Sequence, residues 1–404
     1  MTQYSLSYLE ESIKQAALKL WPEINHEPHF YPLLDLNLGD VCCDYCIELS
    51  TLLKRSPKTL QRELVQNLPE DFPFCLCMHD GYLNYRYHLN EGNFSEFLSG
   101  LDGFQPQAEI YDALILTPPV KNCFGLSYLR LAARAIYHFS LLRSSGSQVK
   151  FFLGNTLLEV DSSQVFDQNL FMNLSKLAFG EPITQAEAVD QVVECLASGK
   201  FDKSFICSSG QILEHNLFEN LKSEYNTKLR FPKNFWLNTD TATLRDAEKL
   251  VQTLNTKDLF FHLLLPYHGQ DLSFDAIGLK CRDNLPWYFA SSLERLKRFS
   301  SKQSIAEAEM INFEQLEPNF LQLLKRLCFM KSLVEELRRN GEVESFVEIV
   351  LELLDQINRM VNNPSFRQSV ERRDLSYFEE LLLTRSICTL EHLAPFFSLD
   401  NTRF

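Results

Sequence analysis

The sequence predicts an α/β fold joined to an all-α C-terminal part, and three stretches carry that prediction. Ala113-Leu114-Ile115-Leu116 is an apolar run of strand length. Pro118 and Pro119 follow it, and then Leu129-Arg130-Leu131-Ala132-Ala133-Arg134-Ala135-Ile136, which has helical composition and no breaker. A strand, a Pro-bounded loop and a helix start form the layout with which α/β proteins hold nucleotides. Gly81-Tyr82-Leu83-Asn84-Tyr85-Arg86-Tyr87-His88 reads as a strand with alternating faces. From 286 to 404 the chain reads as helix throughout. Val343, Phe346, Val347, Val350, Leu351, Leu354 and Ile357 recur at i, i+3 and i+4, as do Leu321, Leu324, Leu327 and Cys328.

Taken in order, residues 1–37 open with an amphipathic helix whose apolar face holds Leu6, Leu9, Ile13, Ala16, Ala17 and Leu20, until Pro22, Pro28 and Pro32 break it. Leu38 to Lys54 reads as a second helix. Ser56-Pro57 starts a third, with Leu60, Leu64, Val65 and Leu68 on its apolar face and a break at Pro69. Beyond the central loop, the Gln148–Asn155 stretch supplies a second strand, reached through a Ser-Ser-Gly-Ser turn, and strand–helix–strand order suits a parallel pair. Thr156 to Lys233 reads as mostly polar and helical, with a capping box at Thr184-Gln185-Ala186-Glu187. Ser208-Ser209-Gly210 reads as a plain turn rather than a phosphate loop. The expected domains are 1–108, small α/β; 109–285, the α/β core; and 286–404, the helical bundle.

With 404 residues, 45% of them hydrophobic and 23% charged, the composition is that of a soluble protein of two or three domains. Fourteen glycines against 32 phenylalanines suggest a helix-rich, aromatic-packed interior. No apolar run reaches the length of a membrane span, and Met1-Thr2-Gln3-Tyr4 lacks the basic and apolar regions of a signal peptide. Eleven scattered cysteines, an odd number, fit reduced thiols, so a cytoplasmic location is expected. A formal charge of -14 does not advertise nucleic-acid binding, although local basic patches occur on acidic proteins.

Cys43 and Cys46 together with Cys75 and Cys77 can supply four thiolates. Against zinc, the first pair falls in a predicted helix without a Gly-rich knuckle, and the second has unusual spacing; no metal or cofactor is expected. His79, His88, His138, His215, His262 and His268 pair with no nucleophile and show no ligand spacing, so core or surface roles are expected. Asn84, inside an aromatic strand, is either a satisfied edge residue or a reader of base edges. Arg338-Arg339, Arg367, Arg372-Arg373 and Arg385 form either a solvated helix face or a basic patch for nucleic acid.

Pro118-Pro119-Val120-Lys121-Asn122-Cys123-Phe124-Gly125-Leu126-Ser127-Tyr128-Leu129-Arg130 resembles the signature loop of class I aminoacyl-tRNA synthetases, arginyl-tRNA synthetase in particular. On the family's His-x-Gly-His pattern, the histidines fall on Gly125 and Tyr128 and the glycine on Ser127, while Leu129 and Arg130 match. The resemblance implies a degenerate class I synthetase (Rossmann-type) core with no catalytic residue, because neither Gly125 nor Tyr128 replaces an imidazole donor to phosphate. Thr243-Leu244-Arg245-Asp246-Ala247-Glu248-Lys249-Leu250 resembles the stretch after the family's second signature loop. The residues before it, Pro232 to Asp240, contain no Lys-x-Ser-Lys.

The order of the first 108 residues resembles the N-terminal additional domain of arginyl-tRNA synthetases, which implies tRNA contact by Asn84 and its neighbours Tyr85 and Tyr87. Phe260 to Leu265, Asp271-Leu272-Ser273-Phe274-Asp275 and Asn284-Leu285-Pro286-Trp287-Tyr288-Phe289 resemble that family's stem-contact helix, its Asp-rich element and its Asn-Pro-x-Tyr-Tyr element. The C-terminal part resembles the DALR anticodon-binding bundle. There the resemblance adds Tyr288, Asn358, Arg372, Arg373 and Arg385 as tRNA-binding candidates, although Arg359, Met360 and Val361 stand where the family has aromatics, and Asn401-Thr402-Arg403-Phe404 replaces its usual end.

The whole order is similar to that of the DALR anticodon-binding domain-containing protein 3 family. Membership would imply a non-catalytic adaptor that recognises arginine tRNAs and supports 3-methylcytidine modification of the anticodon loop. Its partners would be arginine tRNAs and a tRNA 3-methylcytidine methyltransferase, with no membrane and no DNA. The alternatives are a shortened synthetase paralogue that still binds ATP or an amino acid, and a structural scaffold in a translation complex.

Overall fold

Leu9, Ile13, Ala16 and Ala17 recur at helical spacing, and burial of that stripe is what makes Leu6–Leu20 a helix, α1, against a core. The computed structural model describes residues 6–24, 26, 28, 30–33, 38–69, 74–79, 81–87, 112–121, 123–144, 148–160, 166–199, 201, 203–208, 228–230, 248, 252, 254–265, 280–300, 316–340 and 343–397. By contacts the chain groups into two units, one of 1–106, 299–336 and 356–386, the other of 107–298, 337–355 and 387–404.

The first unit is built on a four-stranded sheet of order β1-β2-β4-β3, antiparallel throughout, with β1 Phe30–Pro32, β2 Val41–Cys43, β3 Phe74–His79 and β4 Tyr82–Tyr87. Val41, Cys43, Leu83 and Tyr85 turn one face toward α1, α2 (Tyr45–Leu53) and α3 (Pro57–Gln66), forming a single apolar core. The helix expected over 38–54 is therefore a strand followed by a helix. Val41, Cys42 and Cys43 pair with Tyr85, Asn84 and Leu83, and the Asp40 N–H donates to the Tyr85 carbonyl at 2.8 Å. Two strand partners outbid a weak local helix preference. Gly39, at φ +143, makes the turn into β2; a Cβ there would lie 3.0 Å from the Tyr85 carbonyl oxygen. Asp40 pairs with Lys325 at 2.8 Å, both buried, which fastens this sheet to α9 (Pro318–Asn340).

The second unit holds a five-stranded sheet of order β7-β6-β5-β8-β9: β5 Ala113–Leu116, β6 Lys150–Leu153, β7 Thr156–Leu157, β8 Lys203–Cys207 and β9 Lys228–Arg230. Fully buried β5 runs parallel to both β6 and β8, so the strand order reverses at β5. The β6 pairing agrees with the expected parallel unit. β8 was not expected, because 156–233 read as polar and helical; its short apolar run, Phe205-Ile206-Cys207, is a buried strand only because β5 lies beside it.

Helix α4, Gly125–Ser144, follows β5; Tyr128 through Leu142 are all buried, so it is an interior helix rather than a surface one. Against it pack α5 (Gln168–Ala178) and α7 (Thr256–Leu263), while α6 (Gln185–Gly199) packs through Val192, Cys195 and Leu196 on the other face of the sheet, with Ala113, Ile115 and Ile206. The predicted capping box opens α6: the Thr184 N–H donates to Glu187 Oε2 at 2.8 Å and the Glu187 N–H to Thr184 Oγ1 at 3.2 Å.

The remaining helices are α8 Leu285–Ser300, α10 Val343–Asn362, α11 Pro364–Arg372 and α12 Tyr377–Leu393, as the helical spacing of the C-terminal third predicts. Tyr137 of α4 packs against Phe260, Phe261 and Phe346, and Phe346 stacks on Phe397, so the phenylalanine-rich composition becomes the core of this unit. No helix among the described residues is long and apolar enough to cross a membrane.

Candidate functional site

In an open parallel sheet the ligand-binding crevice lies at the carboxyl ends of the strands, where the order reverses. Here that point is the loop from Thr117 to Phe124. Thr117 donates its N–H to the Cys207 carbonyl at 3.0 Å, and Ile183 donates to the Pro119 carbonyl at 3.0 Å. Val120 and Cys123 exchange hydrogen bonds of 3.1 and 2.8 Å across the turn. Thr117 through Val120 are buried, so the loop is held against its neighbours on both sides; Lys121 at its tip is exposed.

Each position of the degenerate signature has a definite place. Gly125 sits at φ +61, a conformation L side chains rarely adopt, and begins α4. Ser127 is half-buried. Tyr128 is fully buried, its hydroxyl without a hydrogen-bond partner among the described residues, and burial pushes its phenol well above the ordinary value. Arg130 donates from Nε to the Leu263 carbonyl at 3.1 Å and from Nη2 to the Leu265 carbonyl at 2.7 Å, which closes the C-terminal end of α7. One turn on, desolvation first and the Arg130 charge second push Arg134 well below the ordinary guanidinium value. Arg130 and Arg134 of this helix are buried, whereas Arg143 near its end and Lys121 at the loop tip are exposed. The stretches 232–240 and 271–275 lie outside the described residues.

Of the tRNA-binding candidates of the N-terminal sheet, Asn84 and Tyr85 are buried. Asn84 is neither an edge residue nor satisfied: it lies on β4 between β2 and β3, 3% exposed, and its Oδ1 has no hydrogen-bond partner among the described residues. Tyr85 is fully buried on the core face, so its ring offers no surface to a base. The side chain of Tyr87 lies outside the described residues. Tyr82 shares the face of Asn84 by strand alternation and is exposed.

In the helical part, Arg372 and Arg373 are exposed at the end of α11, with Arg373 as its left-handed cap, while Asn358 and Arg385 are half-buried. Glu371 and Asp374 flank the arginine pair. Asn84, Tyr85, Asn358, Arg372, Arg373 and Arg385 belong to the first unit and Tyr288 to the second. Tyr288 donates its hydroxyl to Asp355 Oδ1 at 2.7 Å, and Arg282 grips both oxygens of the same carboxylate at 3.2 and 3.0 Å, which raises the Arg282 pKa. Sequence reading missed this arrangement: Arg282 and Asp355 stand 73 residues apart in chains of ordinary charge spacing, with no local signal to join them.

Cys43 and Cys46 are buried, and the side chains of Cys75 and Cys77 lie outside the described residues. Cys43 also lies in β2 rather than in the expected helix. No group of three or more His, Cys, Asp or Glu able to hold a metal occurs among the described residues. His138 packs edge-on against Phe205 at 4.2 Å, and His262 is buried.

A scan against protein-family models found no match, and a sequence search of curated proteins found none. Among solved structures, the chain is similar to the arginyl-tRNA synthetase of Plasmodium falciparum, with a TM-score of 0.54 at 12% identity over 97% of each chain. For the Thermus thermophilus arginyl-tRNA synthetase the TM-score is 0.49 at 11% identity, over 97% of this chain and 98% of that one. The first of these likenesses shows the fold: the chain has an arginyl-tRNA synthetase-like fold.

Proposed function

We propose that this protein is a tRNA-binding adaptor that does not activate an amino acid, selects arginine tRNAs and presents their anticodon loops to a partner methyltransferase forming 3-methylcytidine. The observation that carries the non-catalytic part is the first turn of α4. Where adenylate chemistry needs charge-stabilising donors aimed at a phosphate, this chain has a glycine in a left-handed conformation, a buried tyrosine and an arginine turned onto two backbone carbonyls. An arginyl-tRNA synthetase-like fold without that chemistry supports tRNA recognition by shape. The surface groups best suited to phosphate are Arg372 and Arg373; Asn84 lies beneath the surface and Tyr85 within the core. The arginine preference and the methyltransferase rest on the family resemblance of the sequence.

The test is affinity capture of the tagged full-length protein from cell extract, with bound RNA sequenced and bound proteins identified in one eluate. Enrichment of arginine tRNAs together with a methyltransferase is the expected result. Pyrophosphate exchange with ATP and arginine by the purified protein would overturn the non-catalytic part. Absence of tRNA above background would overturn the adaptor.

A further inference from the structure

A groove of about 570 Å³ opens between the β6–β7 hairpin and α5, on the edge of the second unit's sheet. Leu170, Leu174 and Leu177 line it from α5 at i, i+4 and i+7, and Leu153, Leu157 and Leu158 from the hairpin. Leu157 is 56% exposed and Leu177 42%, so water reaches apolar surface at both walls. The remaining lining side chains are Glu159, Asp167, Gln168, Asn169 and Asn173; none is basic. Asp167 caps the N-terminus of α5 through the Leu170 N–H and keeps its carboxylate at one end of the groove, while Glu159 is exposed on the hairpin side.

We infer that this groove docks a basic amphipathic helix of a protein partner, leucine-like side chains inserted and lysine or arginine facing Glu159 and Asp167. A leucine-walled channel between a helix and a hairpin matches helix-in-groove recognition, in which anchors repeat at i, i+3/i+4 and i+7. The charge selects the occupant. Carboxylates beside the leucines repel RNA phosphate and anionic lipid, and they repel a second copy of a chain that carries -14. The inference rests on the adaptor reading only for what the partner does.

The test uses the full chain and two synthetic helical peptides of about 18 residues with the same leucine stripe, one with lysine and one with glutamate on the polar face. Fluorescence anisotropy is expected to give roughly tenfold tighter binding of the lysine peptide. Leu157→Asp and Leu177→Asp are each expected to weaken it about tenfold, and Glu159→Lys to reduce the preference for lysine. Asn173→Arg, at an exposed position that gives up no apolar burial, is expected to block the groove equally. Equal binding of the two peptides, or binding unchanged in these variants, would overturn the inference. Arginine-tRNA binding, measured in parallel, is expected to stay unchanged in all of them. Failure of the wild-type chain to bind tRNA would count against the adaptor and leave the groove standing.

Discussion

Arg130 reaches from the first turn of α4 to the carbonyls of Leu263 and Leu265, at 3.1 and 2.7 Å, and so caps a helix 133 residues later in the chain. A planar guanidinium satisfies two buried acceptors at once. Arg130→Ala is expected to destabilise the protein by about 3 kcal/mol, with Arg130→Lys recovering less than half of that, since an ammonium does not span the fork. Urea unfolding checks it. An Arg130→Ala protein of unchanged stability would refute the capping role.

Asp40 and Lys325 form a buried pair at 2.8 Å. Removing one partner leaves the other charge in a dry site, so Asp40→Ala is expected to cost about 3–5 kcal/mol, whereas Asp40→Asn combined with Lys325→Met is expected to recover most of it. A double-mutant cycle by chemical denaturation measures the coupling. Additive losses would show that the two side chains act independently.

Returning histidines to positions 125 and 128 is expected to produce no pyrophosphate exchange. Gly125→His forces an L side chain to φ +61, at roughly 1–2 kcal/mol, and Tyr128→His exchanges a fully buried ring for a smaller polar one. Thermal melting is expected to fall for both variants. Exchange activity in the double variant would mean that the crevice retains the rest of an active site.

Alkaline pH is expected to destabilise the protein from about pH 9 upward. Burial pushes Cys46 from 9.0 up to about 12 and Cys195 up to about 11, and it raises Cys43, Tyr85 and Tyr137 as well. Each raised group favours the protonated folded state. Its contribution is whole below the unfolded value and is lost as pH rises toward the folded one. Melting temperatures between pH 8 and pH 11 test the sign. Native-state thiol labelling should reach exposed Cys388 well before Cys46.

Reversal of Arg372 and Arg373 to glutamate is expected to weaken arginine-tRNA binding and to lower the slope of log K against log salt by roughly 1–2, as for the loss of one or two phosphate contacts. Helical content should be retained, because both side chains are exposed. An unchanged salt slope would remove this end of α11 from the RNA surface.

Local chemistry was enough to read much of this chain from its residues. The stripe of Leu9, Ile13 and Ala16, the Pro57 helix start, the Thr184–Glu187 capping box, the apolar Ala113–Leu116 run, and the helical C-terminal third each follow from residues a few positions apart. The missing histidines of the loop were also plain, since they are a matter of residue type.

Tertiary structure decided the rest. Val41–Cys43 and Lys203–Cys207 are strands because Tyr85 and Ile115 lie beside them, and no local propensity records a partner 40 or 90 residues away. The direction of a side chain was equally hidden. Arg130 and Arg372 are the same residue type in helical sequence, yet one is buried on two carbonyls and the other stands in solvent. Tyr85 and Tyr82 are three positions apart on one strand, and the alternation of the pleat places one in the core and the other on the opposite face. Residue type sets which chemistry is available, and only the packing of distant segments sets which of those groups meets water.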